Sequence, residues 1–140
     1  MPLVAVEILT GQMFSIYVLE ENNRCELLEF INSLEQAHSC EWPRLQRYLD
    51  YTKDHGLLRN LEQFKHLADG ICYFRTRGVR LFCFRDASNI ICTNGYIKKK
   101  DRLDPAEVKR SKIWKQKYDI AKIEKTLKVK RIDEHDTTNI

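Results

Sequence analysis

Basic and aromatic residues that could bind phosphate groups and nucleic-acid bases are concentrated between residues 71 and 100. Arg75 and Arg80 lie on either side of the dipeptide Arg77–Gly78, and three consecutive lysines begin at Lys98. The planar guanidinium group of arginine forms paired hydrogen bonds with phosphate, and lysine adds a compact positive charge. These residue types therefore indicate binding of an anionic partner.

The charge of the chain is divided unevenly between its two halves. Residues 1–70 contain 6 Lys and Arg against 11 Asp and Glu, whereas residues 71–140 contain 18 against 9. The overall charge of +4 hides this difference. We expect the C-terminal half to face a negatively charged partner, and the alternative is an ordinary solvated basic helix.

The composition excludes several classes of protein. With 140 residues, 43% hydrophobic and 31% charged, the chain can bury one core and is neither disordered nor a disulfide miniprotein. Its apolar runs are shorter than the ~20 residues that a membrane span needs. Residues 3–19 contain polar residues such as Glu7 and Gln12 and lack a basic start, so we expect no signal peptide and a cytoplasmic location.

The five cysteines do not form a recognisable chemical motif. They include neither a CxxC pair nor a Cys/His cluster at zinc spacing, so we expect no metal site and no cofactor. We expect reduced thiols, mostly buried as small apolar side chains, and the pattern does not single out a catalytic Cys–His pair.

The first part of the chain predicts one or two strands followed by two helices. Residues 13–19 are rich in aromatic and β-branched residues, and residues 3–9 suggest a further short strand. Apolar residues recur with helical spacing over residues 24–38. A second helix should begin at Pro43 and end at Gly56.

Three β-rich runs follow, over residues 71–76, 79–85 and 90–97, and their short connections predict an antiparallel meander. A two-residue turn at Arg77–Gly78 would place Arg75 opposite Arg80. The next loop would place Arg80 opposite Gly95. The same register pairs four further sets of residues: Tyr73 with Phe82, Cys72 with Cys83, Arg85 with Ile90, and Cys83 with Cys92.

A last helix is predicted from Asp104, which can cap it in a capping box with Glu107, to about Lys128. We expect the isoleucines at 113, 120 and 123 to form its buried seam together with Leu127, with two aromatic residues, Trp114 and Tyr118, beside that seam. Residues 1–131 would then form one domain with its core in 13–120, and residues 132–140 a loose tail.

Two arginines opposite each other on neighbouring strands repel, at a cost of up to ~1 kcal/mol. An anion between Arg75 and Arg80 would remove that cost. The alternative is that each arginine pairs with one of the acidic residues of the first half. A register slip of one residue would place them on opposite faces of the sheet.

The same sheet face would expose aromatic side chains for base stacking, which suits single-stranded RNA better than a duplex groove. The predicted nucleic-acid-binding residues are Tyr73, Arg77, Phe82, Lys99, Lys100, Arg102, Lys109 and Lys112.

The order of elements, a strand, two helices, a meander and a basic helix, is similar to that of the RelE/ParE-type toxins of bacterial toxin–antitoxin pairs. The segment 64–99 resembles the HigB-like branch, which includes phage-derived members. The resemblance covers about residues 13–120 and is carried by Asp69-Gly70-Ile71 with Arg75, the VRLFCF strand, the TNG-x-x-KK strand end, and Pro105 with Glu107. It implies an α+β, RelE-like fold in which a small antiparallel sheet, the N-terminal strand plus the meander, packs against two N-terminal helices, with a basic C-terminal helix.

The resemblance also implies an activity, a metal-independent endoribonuclease that cuts mRNA, usually inside the ribosome. A ribose 2′-OH would attack its own phosphate with help from a base, an acid and cations. Carried over by position, the catalytic residues are Arg75, Arg80, Lys98 and Lys65. Many relatives have a His or Tyr near the end of the last strand, and here only Tyr96 precedes the lysines, which leaves His66 as a candidate base.

The implied partners are mRNA, the ribosome and an antitoxin, expected to carry a helix-turn-helix domain and to cover Arg80 and Lys98. No membrane partner is expected. Two alternatives remain open, a ParE-like gyrase poison without nuclease activity and a non-catalytic binding module of prophage origin.

Overall fold

The computed structural model describes residues 2–38 and 40–132, which form seven strands and three α-helices. The strands are β1 (Val4–Thr10), β2 (Ser15–Glu20), β3 (Phe64–His66), β4 (Ile71–Arg75), β5 (Val79–Asp86), β6 (Asn89–Ile97) and β7 (Lys128–Arg131). The helices are α1 (Glu26–Ala37), α2 (Glu41–His55) and α3 (Pro105–Ile123). Of the predicted tail, residues 133–140 lie outside the described residues. No helix in the described part is both long and apolar enough to cross a membrane.

All seven strands join one mixed sheet in the order β3-β4-β5-β6-β2-β1-β7. The pairs β2–β6 and β1–β7 are parallel and the other four are antiparallel. The prediction of a small antiparallel sheet is therefore wrong, because the real sheet is much larger and mixed. Three strands enlarge it beyond the four that were predicted: β1, the three-residue β3, and β7.

The strand β7 could not be recognised from its sequence, Lys-Val-Lys-Arg, because all four side chains are exposed and no face is apolar. It pairs with the edge of β1 through the backbone, and Arg131 Nε lies 3.1 Å from Glu7 Oε1. Backbone pairing and this ion pair, rather than a hydrophobic face, hold the strand.

Helices cover both faces of the sheet, which makes three layers. Leu27, Leu34 and Leu45 of α1 and α2 pack on one face, and Trp114 and Tyr118 of α3 pack on the other. A layer of helices was expected on the first face only. The second layer decides which predicted site residues remain accessible.

The predicted seam of α3 is wrong. Ile113, Ile120 and Ile123 are 44%, 53% and 80% exposed, whereas Trp114 and Tyr118 are buried. Each ring removes more apolar area from water than an isoleucine does, so the helix turns its aromatic side towards the sheet. The helix also ends at Ile123 rather than near Lys128.

The register predicted for the meander is largely confirmed, since Arg75 pairs with Arg80 and the Tyr73–Phe82, Cys72–Cys83, Arg85–Ile90 and Cys83–Cys92 pairs also form. The predicted Arg80–Gly95 pair is wrong, because a bulge in β6 shifts the register and places Tyr96 opposite Arg80. Both residues of the bulge turn towards α3: Thr93 Oγ1 lies 2.8 Å from Ser111 Oγ, and Asn94 Nδ2 donates to Glu107 O at 3.1 Å.

The cysteine row formed by Cys72, Cys83 and Cys92 lies in the core beneath α1 and α2, as buried thiols. Burial raises the pKa of the Cys83 thiol well above its ordinary value and that of Cys92 to about 12. These side chains therefore act as small apolar groups in the packed interior.

Candidate phosphate-binding site

The β4–β5 turn forms one wall of a cavity of about 450 Å³ that opens to solvent. We term it the arginine pocket. It is lined by residues from α2, the loop before β3, the turn and the end of β6, namely Arg44, Tyr48, Asn60, Glu62, Gln63, Arg75, Thr76, Arg77, Arg80 and Lys98. Five of these ten side chains are basic and one is acidic, so the pocket attracts anions.

The turn is fixed by a carboxylate from the first turn of α2. Gly78 N donates to Glu41 Oε1 at 2.9 Å, and the Thr76 hydroxyl donates to the same oxygen. A Cβ added at Gly78 would collide with Glu41 Oε2, so a larger residue there would displace this carboxylate. Lys98 N then donates to Gly78 O at 2.7 Å, which holds the end of β6 beside the turn.

Arg80 is the buried member of the arginine pair, with only 5% of its surface exposed. Its Nη1 donates to the backbone oxygens of Thr76 at 2.6 Å and Val79 at 2.9 Å. Burial, and then the charge of Arg75, lower the pKa of the Arg80 guanidinium. A buried cation beside a second cation is unfavourable unless an anion joins them.

Among the side chains that the structure describes, those of residues 2–34, 38 and 40–132, no carboxylate lies within 4.0 Å of the guanidinium nitrogens of Arg75 or Arg80. The alternative of an internal ion pair for each arginine is therefore not observed in that part of the chain. Lys98 Nζ lies 3.7 Å from Asp101 Oδ1, a weak contact with a fully exposed carboxylate.

Sequence reasoning missed the contribution of α2 and of the loop before β3. Arg44 and Tyr48 are four residues apart and therefore share one side of the helix. That spacing was visible in the sequence, but nothing in it indicated that this end of α2 meets the meander. Gln63 O accepts a hydrogen bond from Arg75 N at 2.9 Å, and this bond brings Asn60 and Glu62 to the pocket.

The two remaining catalytic candidates lie apart from each other. Lys65 pairs with Tyr73 on β4, and by strand alternation it is on the sheet face of Arg75, although it does not line the pocket. His66 is on the opposite face, where its Nδ1 lies 3.2 Å from Cys72 Sγ. It lines a different cavity, of about 270 Å³, so the fold separates His66 from the arginine pair.

The aromatic residues predicted to stack on bases are buried. Phe82 is 0% exposed, and Tyr73 packs with it in the cluster beneath α3, at a ring-centroid distance of 5.8 Å. The prediction assumed that this sheet face is exposed to solvent, but α3 covers it. Neither ring can stack on a base in this structure.

The predicted nucleic-acid-binding basic residues divide into three groups. Arg77 lines the arginine pocket, whereas Lys99, Lys100 and Arg102 line a neighbouring cavity of about 570 Å³. The two lysines of α3 lie elsewhere: Lys109 is exposed on the helix, and Lys112 Nζ forms an ion pair with Asp69 Oδ2 at 3.1 Å.

Chemically, the arginine pocket can hold a phosphate and stabilise negative charge that develops on it. Glu62 and Tyr48 supply an acidic and a phenolic group at its wall. Among the described residues there is no group of three or more His, Cys, Asp or Glu side chains placed to hold a metal ion.

Comparison of the sequence with models of known protein families finds no match, and the curated proteins include none that is significantly similar.

Proposed function

We propose that the protein is the toxin of a toxin–antitoxin pair and acts as a metal-independent endoribonuclease on mRNA. One observation carries the proposal: an arginine pocket in which a buried Arg80 faces a second arginine without a carboxylate between them in the described part of the chain. The resemblance of the meander to HigB-like toxins supplies the reaction class.

The reaction needs charge stabilisation more than any other form of help. Attack of a 2′-OH on the adjacent phosphate passes through a phosphorane with extra negative charge on its oxygens. Arg75 and Lys98 would contact those oxygens, while Arg80, held by two carbonyl groups, would present its remaining N–H groups. In the same pocket, the Glu62 carboxylate can accept a proton and the Tyr48 hydroxyl can donate one.

A ParE-like gyrase poison is the second candidate, and one observation favours it. Three isoleucines of α3, at positions 113, 120 and 123, are exposed and would suit contact with a protein target. Such a toxin would not need the arginine pocket.

The test is induction of the chain in bacterial cells, followed by mapping of new 5′ ends on mRNA. We expect cuts at codon-phased positions for the wild type and their loss in Arg75→Ala, since removing one such charge contact costs about 100-fold in rate. The matched control is Arg47→Ala, which removes an exposed arginine of α2 outside the pocket.

Growth arrest with intact mRNA and broken DNA would contradict the nuclease proposal and favour gyrase. Cuts that persist in Arg75→Ala would contradict the role of the pocket.

A further inference from the structure

The cavity of about 570 Å³ beside the arginine pocket differs from it in character. It lies between α1 and the loop over residues 98–104, and we term it the loop cavity. Phe30, Tyr96, Ile97 and Leu103 supply an apolar interior, while Lys99 and Lys100 stand at its wall.

The walls of the loop cavity are held by specific contacts. Phe30 packs directly on Gly95, where an added Cβ would lie 2.8 Å from its ring carbon Cε2. Asp104 N donates to the Tyr96 hydroxyl at 3.0 Å, which ties the far end of the loop to β6. Tyr96 is in turn stacked on the buried Phe82, with the two rings 11° from parallel.

The two cavities meet at consecutive residues. Lys98 lines the arginine pocket and Lys99 lines the loop cavity. Their Cα atoms are separated by about 3.8 Å, the spacing across one peptide bond. The two cavities therefore share the segment that follows β6, which makes them neighbours along the chain.

We propose that the loop cavity binds the base of a nucleotide adjacent to the phosphate held by the arginine pocket. The inference rests on the proposed function and specifies its substrate as single-stranded RNA, because a base can enter the cavity only when it is unpaired and unstacked. An aromatic and aliphatic interior suits the faces of a base, and the lysines at the wall suit its flanking phosphates.

The experiment measures the affinity of two oligonucleotides of equal length by fluorescence anisotropy. One is a single-stranded 2′-O-methyl RNA, which cannot be cleaved through its 2′ oxygen, and the other is its abasic counterpart. We expect the wild type to bind the base-bearing strand about tenfold more tightly, the effect of one stacked base.

Two variants remove the base site without touching the arginine pocket. Phe30→Leu removes the ring but keeps an apolar side chain, and Ser33→Trp fills the cavity from an exposed position of α1 without altering the core. Both should abolish the preference for the base-bearing strand and leave binding of the abasic strand unchanged. Arg75→Gln should weaken binding of both strands.

Equal affinity of the wild type for the two strands, or a preference that survives both variants, would overturn the base site while leaving RNA binding intact. The cavity would then be free for an apolar side chain of a protein partner. Failure of the wild type to bind either strand would overturn the proposed function together with the base site.

Discussion

Arg80 differs from the other basic residues of the arginine pocket because part of its guanidinium group is structural. Its Nη1 satisfies two carbonyl oxygens of the β4–β5 turn, while the same side chain lines the pocket. A lysine ammonium has a similar charge but lacks the planar fork that can do both. Arg75 lines the same pocket but is only partly buried.

Replacing Arg80 by lysine should therefore lower both stability and RNA binding. Loss of two hydrogen bonds from a charged donor should reduce the free energy of unfolding by about 2 kcal/mol, measured by urea denaturation. The matched variant Arg75→Lys should weaken RNA binding with little change in stability. Equal stability of the two variants would contradict the structural role assigned to Arg80.

The helix α3 is tied to the sheet by an ionic contact at the β5–β6 turn. Asp86 Oδ2 accepts hydrogen bonds from Lys122 Nζ at 2.6 Å and from the Tyr118 hydroxyl at 2.5 Å. The bond from Lys122, and then that from Tyr118, lower the pKa of Asp86. Because the folded pKa lies below the unfolded one, this contact stabilises the fold above about pH 4 and is lost as the pH falls through the folded value.

Asp86→Asn should remove about 1 kcal/mol of stabilisation at pH 7 and have a smaller effect at pH 3, below the usual pKa of an aspartate, where part of the ionic stabilisation is already lost. Urea denaturation of both proteins at the two pH values measures the difference. Asp50→Asn, at an exposed position of α2, is the control. A destabilisation of equal size at pH 7 and pH 3 would show that the effect does not come from ionised Asp86.

Features that depend only on neighbouring residues could be predicted from the sequence. Two-residue turns set the register of the meander, which is why the Arg75–Arg80 pair could be predicted, and Gly56 ends α2 as expected. The bulge at Thr93 and Asn94 could not be predicted, because it depends on partners in α3, and it moved Tyr96 rather than Gly95 opposite Arg80. Long-range contacts decide such positions.

The same limit applies to the functional site. The burial of Phe82 depends on where α3 lies on the sheet, and spacing along α3 favoured the isoleucines over Trp114 and Tyr118. Arg44 lines the arginine pocket only because the start of α2 lies beside the β4–β5 turn. The hydrogen bond from Gly78 N to Glu41, 37 residues away in the chain, holds α2 in that position. Neither position is encoded in local pattern.

Part of the uneven charge of the two halves is balanced by ion pairs between them. Acidic residues of the first half form ion pairs with basic residues of α3 and β7, in the pairs Glu26–Arg110, Asp69–Lys112, Glu21–Lys117, Glu20–Lys130 and Glu7–Arg131. Five basic residues of α3 and β7 are thus partly neutralised, and the expectation that the C-terminal half faces a negatively charged partner stays a prediction. The basic residues of the arginine pocket are not members of these five pairs, and neither are Lys99, Lys100 and Arg102 of the loop cavity.

The salt dependence of RNA binding should reflect this distribution. Each phosphate contact adds about 0.7 to the slope of log affinity against log salt for a single strand. Arg75→Gln should lower the slope by about that amount, whereas Lys117→Gln on α3 should leave it unchanged. Anisotropy titrations across a range of NaCl concentrations measure both slopes, and equal losses in the two variants would mean that binding is spread over the basic surface.

The most direct test of the central claim is a map of the RNA contact by NMR. Backbone amide shifts of the isotope-labelled protein are followed during titration with a short 2′-O-methyl RNA. The largest shifts should occur around Arg75, Arg77 and Lys98, and Arg75→Gln should reduce them at the same RNA concentration. Shifts concentrated on the exposed face of α3, or no shifts at all, would contradict a phosphate site in the arginine pocket.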